Sequence, residues 1–208
     1  MKNLFLALFV FSIVVLVVSI IFVTQLSLYA AAGSLHLAMF SFAMFFIWKK
    51  NISETLKSLG VPGDLRKNLK YTLIGLFGIF ATLLIVGIAA SLLGINDQEK
   101  ILDKVLDLPL IILVFAFLLA PITEELFFRG MMVQKILERS NPIIAIILSS
   151  VVFSLVHFSY ESLVEILGVF FIGLILGSIY VKAKSLTPCI LIHMIYNLLA
   201  IIVMRFLL

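Results

Sequence analysis

Long runs of apolar residues follow one another along this sequence, and they constrain its fold more than any other feature. Charged residues are concentrated in the short stretches between these runs. An α-helix needs about 20 apolar residues to cross the roughly 30 Å hydrocarbon core of a lipid bilayer. The pattern therefore predicts about seven transmembrane helices, at residues 4–24, 28–48, 70–93, 109–133, 143–158, 162–181 and 186–206.

The composition supports a membrane protein and argues against a soluble one. Of the 208 residues, 63% are hydrophobic and only 12% are charged, with a mean hydropathy of +1.28. A typical soluble domain has about 25% charged residues. We predict an all-α polytopic bundle in which residues 1–208 form one integral membrane domain, and an eighth span is compatible with the pattern. The net charge of +4 is typical of basic cytoplasmic flanks, so we expect the bilayer as a partner and no nucleic acid.

Lysine and arginine residues predict the orientation of these spans, because basic residues collect on the cytoplasmic side. With the N-terminus inside, eleven basic residues lie inside and three outside; Arg129 is left out because it falls within a span. This distribution predicts a cytoplasmic N-terminus. We expect a multi-pass protein of a prokaryotic cell membrane. We expect a short interfacial helix near residues 51–60, capped by Ser53, and a solvated outer connector at residues 96–107.

A few polar and charged side chains fall inside the predicted spans, where they need an explanation. A charged side chain at the bilayer centre costs at least about 2.5–3.5 kcal/mol. We therefore expect these groups to face a shared polar interior and to have a function. They are Glu124, Glu125 and Arg129 in the fourth span, His157 at the end of the fifth, and His193 and Asn197 in the seventh.

Spacing along the helices indicates which of these groups meet. Residues four apart share a helical face, so Glu125 is expected to pair with Arg129, which leaves Glu124 for another partner. Glu124 and His157 each lie fourteen residues from the turn near residues 139–142. At 1.5 Å per residue this is about 21 Å along either helix, which predicts the same depth for both side chains.

The remaining polar and aromatic candidates have simpler expectations. His193 and Asn197 are four apart, which places an imidazole and an amide side by side. Phe153 is four residues before His157 and is expected to act mainly as a packing wall. His36, in the second span, is expected to be an ordinary hydrogen-bonded core residue.

Three short motifs in these spans resemble those of the CPBP family of intramembrane peptidases. That family joins the type II CAAX prenyl endopeptidases with bacteriocin-processing and immunity proteins. The resemblance covers residues 109–205, predicted as a catalytic core of about four helices, whereas residues 1–100 supply N-terminal spans and the interfacial helix. The motifs read EExxxR from Glu124 to Arg129, FxxxH from Phe153 to His157, and HxxxN from His193 to Asn197.

The resemblance implies an intramembrane endopeptidase that cleaves a membrane-attached peptide or a CAAX-type lipidated C-terminus near the cytoplasmic face. No cofactor is favoured, although a zinc ion held by Glu124, His157 and His193 stays open. The roles it implies are a water-activating base for Glu124 with help from His157, oxyanion stabilisation for His193 and Asn197, and support from Glu125, Arg129 and Phe153.

Other functions fit parts of the same pattern. Cys189 and Ser154 are nucleophile candidates, but neither has an orienting carboxylate at triad spacing. A non-catalytic scaffold or bacteriocin-immunity protein would keep the bundle, and would be free to lose Glu124 or His193. A transporter would also place Glu and His in the membrane, but it usually shows internal symmetry, and no repeat is visible here.

Overall fold

The computed structural model describes residues 1–21, 25–95, 97, 99–158 and 161–206, except for the side chains of 19–21 and 25–28. No strand occurs within these ranges, so the all-α prediction is confirmed. The helices are α1 (Lys2–Ile21), α2 (Gln25–Ile47), α3 (Ile52–Ser58), α4 (Leu65–Leu92), α5 (Glu99–Leu106), α6 (Leu110–Leu137), α7 (Pro142–Leu155), α8 (Leu163–Ala183) and α9 (Thr187–Phe206).

Each of the seven predicted apolar segments coincides with one of these helices. Among the described residues, five helices are long and apolar enough to cross a bilayer, namely α2, α4, α6, α8 and α9. Helices α1 and α7 are apolar but have shorter qualifying stretches. Large apolar side chains such as Phe77, Leu92 and Ile111 are 79%, 82% and 72% exposed. Because water would not tolerate so much exposed apolar surface, the chain is a multi-pass membrane protein.

Two details of the connecting segments differ from the predictions. The interfacial helix α3 exists, but its N-cap is Asn51, whose side chain accepts from the Glu54 N–H at 2.9 Å; Ser53 lies inside the helix. The segment 96–107 is not an irregular connector, because α5 fills most of it, with Glu99 in its first turn and Lys104 in its last. These charges complement the helix dipole. Asn96 and Gln98 lie outside the described residues.

Helix α6 occupies the centre of the bundle and contacts α2, α7, α8 and α9. Helix α4 packs on α8 and α9, and α1 packs on α2. The close approach of α7 to α8 depends on Gly173, where an added Cβ would lie 2.9 Å from the Cβ of Ser150. This crossing exposes the backbone carbonyl of Gly173 to α6, where it accepts from Arg129 Nη2 at 3.2 Å.

Candidate active site

A buried ion pair within α6 anchors the polar centre of the bundle. Arg129 Nη1 donates to Glu125 Oε1 at 2.9 Å, and both side chains are completely buried. The Arg129 guanidinium also lies 4.5 Å from the centre of the Phe153 ring. The predicted pairing of Glu125 with Arg129 is therefore present. Arg129 in addition ties α6 to α7 through Phe153 and to α8 through the Gly173 carbonyl.

The helix that carries these charges is not a regular α-helix. Two π-helical segments, Phe115–Leu119 and Leu126–Val133, flank the α-helical turn that holds Glu124 and Glu125. Such segments are rare and occur frequently at functional sites. They widen the helix locally and free backbone carbonyls that an α-helix would satisfy.

One freed carbonyl positions the amide of Asn197. In the π-helical register the Ala120 N–H donates to the Phe115 carbonyl, five residues back. The Ala116 carbonyl would accept from residue 121 in the same register, but Pro121 has no N–H to donate. Asn197 Nδ2 donates to this carbonyl at 2.9 Å. A proline in α6 thus sets the position of an amide on α9.

His193 lies beside the ion pair rather than beside Asn197 alone. Its Nδ1 donates to Glu125 Oε1 at 2.9 Å, so this carboxylate oxygen is shared between His193 and Arg129. The opposite ring nitrogen, Nε2, lies 3.8 Å from Glu124 Oε2. His193 therefore bridges the two adjacent carboxylates, with one ring nitrogen directed at each.

Glu124 is held at the meeting point of three helices. Its side chain is 11% exposed, and its Oε2 is buried without a hydrogen-bond partner among the described residues. Besides His193 on α9, it faces His36 on α2, whose Nε2 lies 3.8 Å from Glu124 Oε1. An unsatisfied buried carboxylate oxygen is costly and requires an explanation, and a reacting water or substrate group would satisfy it.

His157 reaches the site from just beyond the end of α7. Its Nδ1 donates to the Phe153 carbonyl at 2.8 Å, and its ring contacts the Phe153 ring with centroids 5.0 Å apart. The Phe153 ring also contacts the His193 ring, with centroids 5.8 Å apart. Glu165 of α8, which the sequence alone would leave at the membrane surface, is half-buried and interacts electrostatically with His157.

An apolar groove of about 240 Å³ lies next to these polar groups, between α2 and α6. The Phe115 ring forms part of its wall and also makes an edge-to-face contact with the His36 ring, at 5.0 Å between centroids. The groove thus adjoins the side chain that faces Glu124. Its lining includes Tyr29, Ala32 and Gly33 of α2, and Ile111, Phe115 and Leu119 of α6.

One family model matches part of the chain. Residues 106–199 match the model described as "Type II CAAX prenyl endopeptidase Rce1-like". This segment contains all three motifs, and we call it the Rce1-like region because of this similarity. The resemblance predicted from the motifs is therefore confirmed, and it supports a membrane protease at the level of the family.

Two curated bacterial proteins are similar to the chain beyond the Rce1-like region. One is the "Putative membrane peptidase YdiL" of Bacillus subtilis, 29% identical over 156 residues, which covers 68% of this chain and 62% of that protein. The other is an "Uncharacterized 24.3 kDa protein" of Escherichia coli, 26% identical over 160 residues, with 75% and 72% covered. The chain thus spans less than two thirds of the Bacillus relative. No solved structure matches the chain at a significant level.

The Rce1-like region supplies most of the polar cluster, but not all of it. The structure brings together Glu124, Glu125, Arg129, Phe153 and His193, and places His157 and Asn197 at the edges of this group through backbone hydrogen bonds. Sequence reasoning missed His36, which lies outside residues 106–199. Depth could have indicated it. His36 is eleven residues from the end of α2, and Glu124 is thirteen residues from the end of α6. At 1.5 Å per residue these are about 17 and 20 Å along the two helix axes, which are similar depths.

The predicted zinc ligands are not grouped as a metal site. Within the described ranges, no three His, Cys, Asp or Glu side chains are arranged to hold a metal ion. The separations of 3.8 Å between imidazole nitrogens and Glu124 oxygens are those of neighbouring groups in van der Waals or ionic contact. The expectation that no cofactor is needed, with zinc left open, stays a prediction.

Proposed function

We propose that this protein is an intramembrane endopeptidase in which Glu124 activates a water molecule to hydrolyse a peptide bond. One observation carries the proposal: a nearly buried carboxylate, with one unsatisfied oxygen, faces two imidazole Nε2 atoms at 3.8 Å. A general base must lie within reach of the proton it removes and of groups that orient the reacting atoms. Glu124 meets this requirement in a site that excludes most bulk water.

In the proposed reaction, Glu124 takes a proton from water while the water oxygen bonds to the scissile carbonyl carbon. The carbonyl oxygen becomes an oxyanion, which the Asn197 amide and the protonated form of His193, with a hydrogen on Nε2, stabilise. Asn197 Nδ2 carries two hydrogens, and the Ala116 carbonyl uses one. Glu124 then passes its proton to the leaving nitrogen, the carbon–nitrogen bond breaks, and a carboxylate and an amine result. His157 assists the proton transfer.

The proposed substrate is a membrane-attached peptide or a lipidated C-terminus of the CAAX type. The apolar groove supports this class, because it lies between two membrane helices and its Phe115 wall contacts the His36 ring, which in turn faces Glu124. An apolar chain approaching through the lipid would reach the groove without crossing water. A peptide bond next to that apolar chain would then lie close to the proposed base.

The proposed orientation places the N-terminus and the turn between α6 and α7 in the cytoplasm. Basic side chains meet at this turn: Lys135 binds Glu138 at 2.7 Å, and Lys49 and Arg139 lie within electrostatic range. The hydrogen bond from Lys135, aided by these charges, lowers the pKa of Glu138 below its usual value. Basic residues at one end of a helical bundle are typical of the cytoplasmic side.

Replacing His193 with alanine should reduce cleavage by about 10²–10³-fold, because the oxyanion loses a donor and Glu125 loses a buried partner. The measurement uses the purified protein in proteoliposomes. The probe is a fluorescence-quenched peptide with a farnesylated C-terminal CAAX sequence, tested beside the same peptide anchored by an apolar helix.

The matched control is Cys189→Ala, which changes a buried residue one turn away on the same helix. The Cys189 thiol lies 3.4 Å from the Leu176 carbonyl and has no role in the proposed chemistry. Cleavage should persist in this variant. Loss of activity in Cys189→Ala with full activity in His193→Ala would contradict the proposed mechanism. Absence of cleavage of both probes by the unmodified protein would favour a binding or immunity role.

Treatment with a metal chelator such as phenanthroline should leave the cleavage rate within about twofold of the untreated rate, because the proposed base and oxyanion donors are all protein side chains. The rate is measured on the same farnesylated probe before and after treatment. Complete inhibition that added zinc reverses would replace the metal-free mechanism with metal-assisted hydrolysis.

A further inference from the structure

His36 lies on α2, far from the Rce1-like region in sequence, yet it is one of the two imidazoles that face Glu124. Its Nε2 is 3.8 Å from Glu124 Oε1, while His193 Nε2 is 3.8 Å from Glu124 Oε2. The two rings thus lie beside different oxygens of the Glu124 carboxylate. His36 comes from outside the motifs, so nothing in the motif pattern assigns it a role.

Hydrogen bonding fixes which nitrogen of His36 faces Glu124. Thr123 Oγ1 donates its single hydrogen to the Ala120 carbonyl at 2.9 Å. The same oxygen lies 2.8 Å from His36 Nδ1, so in this contact the threonine accepts and Nδ1 donates. The neutral ring therefore carries its proton on Nδ1 and turns the lone pair of Nε2 toward Glu124. Thr123 precedes Glu124 directly, so one turn of α6 holds both the carboxylate and the group that orients its neighbour.

His193 has the same tautomer for a different reason. Its Nδ1 faces a carboxylate oxygen of Glu125, which accepts. In the neutral state both rings consequently direct an unprotonated Nε2 at Glu124. Two imidazole nitrogens from different helices therefore flank the Glu124 carboxylate, one beside each oxygen.

We propose that His36 is a positioning residue of the active site, which orients the Glu124 carboxylate by its contact with Oε1 so that Oε2 faces the reacting water. This inference rests on the proposed function and adds a residue of the second span to it. The groups that face His36 are Glu124 on α6, His157 after α7, and His193 on α9, each within electrostatic range. The Phe115 ring covers the remaining side.

Two amide substitutions distinguish the roles of the two ring nitrogens of His36. Glutamine places an amide nitrogen near the position of Nε2, and asparagine places one near the position of Nδ1. His36→Gln should retain most of kcat because a polar group still faces Glu124. His36→Asn keeps a partner for Thr123 but presents nothing to Glu124, and kcat should fall by up to about 100-fold, the scale of a misplaced catalytic group. KM should change little in both.

Thr123→Val tests the same geometry without altering the histidine. It removes the acceptor of His36 Nδ1 in a nearly isosteric exchange, and it should lower kcat in the same direction as His36→Asn. Thr72→Val is the matched control, since Thr72 is also a buried threonine in a membrane helix and its hydroxyl has no hydrogen-bond partner among the described residues. It should leave kcat unchanged.

The outcomes separate this inference from the proposed function. If the unmodified protein cleaves the farnesylated probe while His36→Asn and Thr123→Val keep the original kcat, the role of His36 is refuted and the peptidase proposal stands. If His36→Asn fails to fold, Thr123→Val decides the question. If the unmodified protein cleaves neither probe, the proposed function itself fails, and with it this inference.

Discussion

Replacing Glu124 with glutamine should lower peptide hydrolysis by about 10²–10⁴-fold, the usual contribution of a general base. Glutamine has nearly the same size and keeps an oxygen for the site, but it has no basic oxygen to take a proton from water. The surrounding contacts with His36 and His193 are at 3.8 Å rather than at hydrogen-bond distance. Folding should therefore be preserved while the chemistry is lost. Single-turnover cleavage of the farnesylated probe, with thermal unfolding measured in parallel, checks both parts.

A second glutamine substitution in the same part of the chain controls for the exchange itself. Glu138 is exposed at the end of α6, where it binds Lys135. Glu138→Gln should leave the cleavage rate unchanged. If Glu124→Gln retained the original rate, another group would have to activate the water, and the central claim of the proposed mechanism would be wrong. A loss in Glu138→Gln equal to that in Glu124→Gln would point to a general effect of altering α6.

The pairing of Glu125 with Arg129 could be predicted from the sequence because it depends on local geometry alone. A spacing of four residues brings two side chains to the same face of any α-helix. The common depth of Glu124 and His157 was predicted for a similar reason, since the turn between α6 and α7 gives both helices a common origin, and it stays a prediction. Predictions of this kind use one rise per residue and no knowledge of the neighbouring helices.

Contacts between helices were beyond that reasoning. The imidazole of His193 binds Glu125 rather than Glu124 through its Nδ1, and this choice depends on how α9 rotates against α6. The π-helical segments change that rotation, and Pro121 lies in the α-helical turn between them. A regular helical projection misplaces every side chain beyond such a segment.

His36 illustrates the same difficulty in another form. A single histidine in an apolar span has no motif around it, and a hydrogen-bonded core residue was the expectation. Its position beside Glu124 depends on a helix that is separated from α6 by more than 60 residues of sequence. Only the packing of α2 on α6 brings it to Glu124. Local pattern can suggest a polar site, whereas the membership of that site depends on long-range packing.

Removing the charge of Arg129 should produce the largest loss of stability. In Arg129→Met, the Glu125 carboxylate stays completely buried but loses its cation, and uncompensated buried charges typically cost about 3–5 kcal/mol. The change also removes the donor to the Gly173 carbonyl and the contact with the Phe153 ring. Thermal unfolding in detergent should therefore occur at a clearly lower temperature. Activity should also fall, because Arg129 no longer holds the Glu125 carboxylate that His193 binds.

The double variant Glu125→Gln with Arg129→Met shows whether charge is the cause. With the carboxylate neutralised, no buried charge is left alone, so the double variant should unfold at a higher temperature than Arg129→Met alone. Arg205→Met is the control for removing an arginine: Arg205 donates to the Leu106 carbonyl at 2.7 Å near an exposed helix end, and its loss should cost much less. Equal instability of the single and double variants would show that Arg129 acts through its size and packing. The ion pair would then be a consequence of the fold around Phe153 rather than its cause.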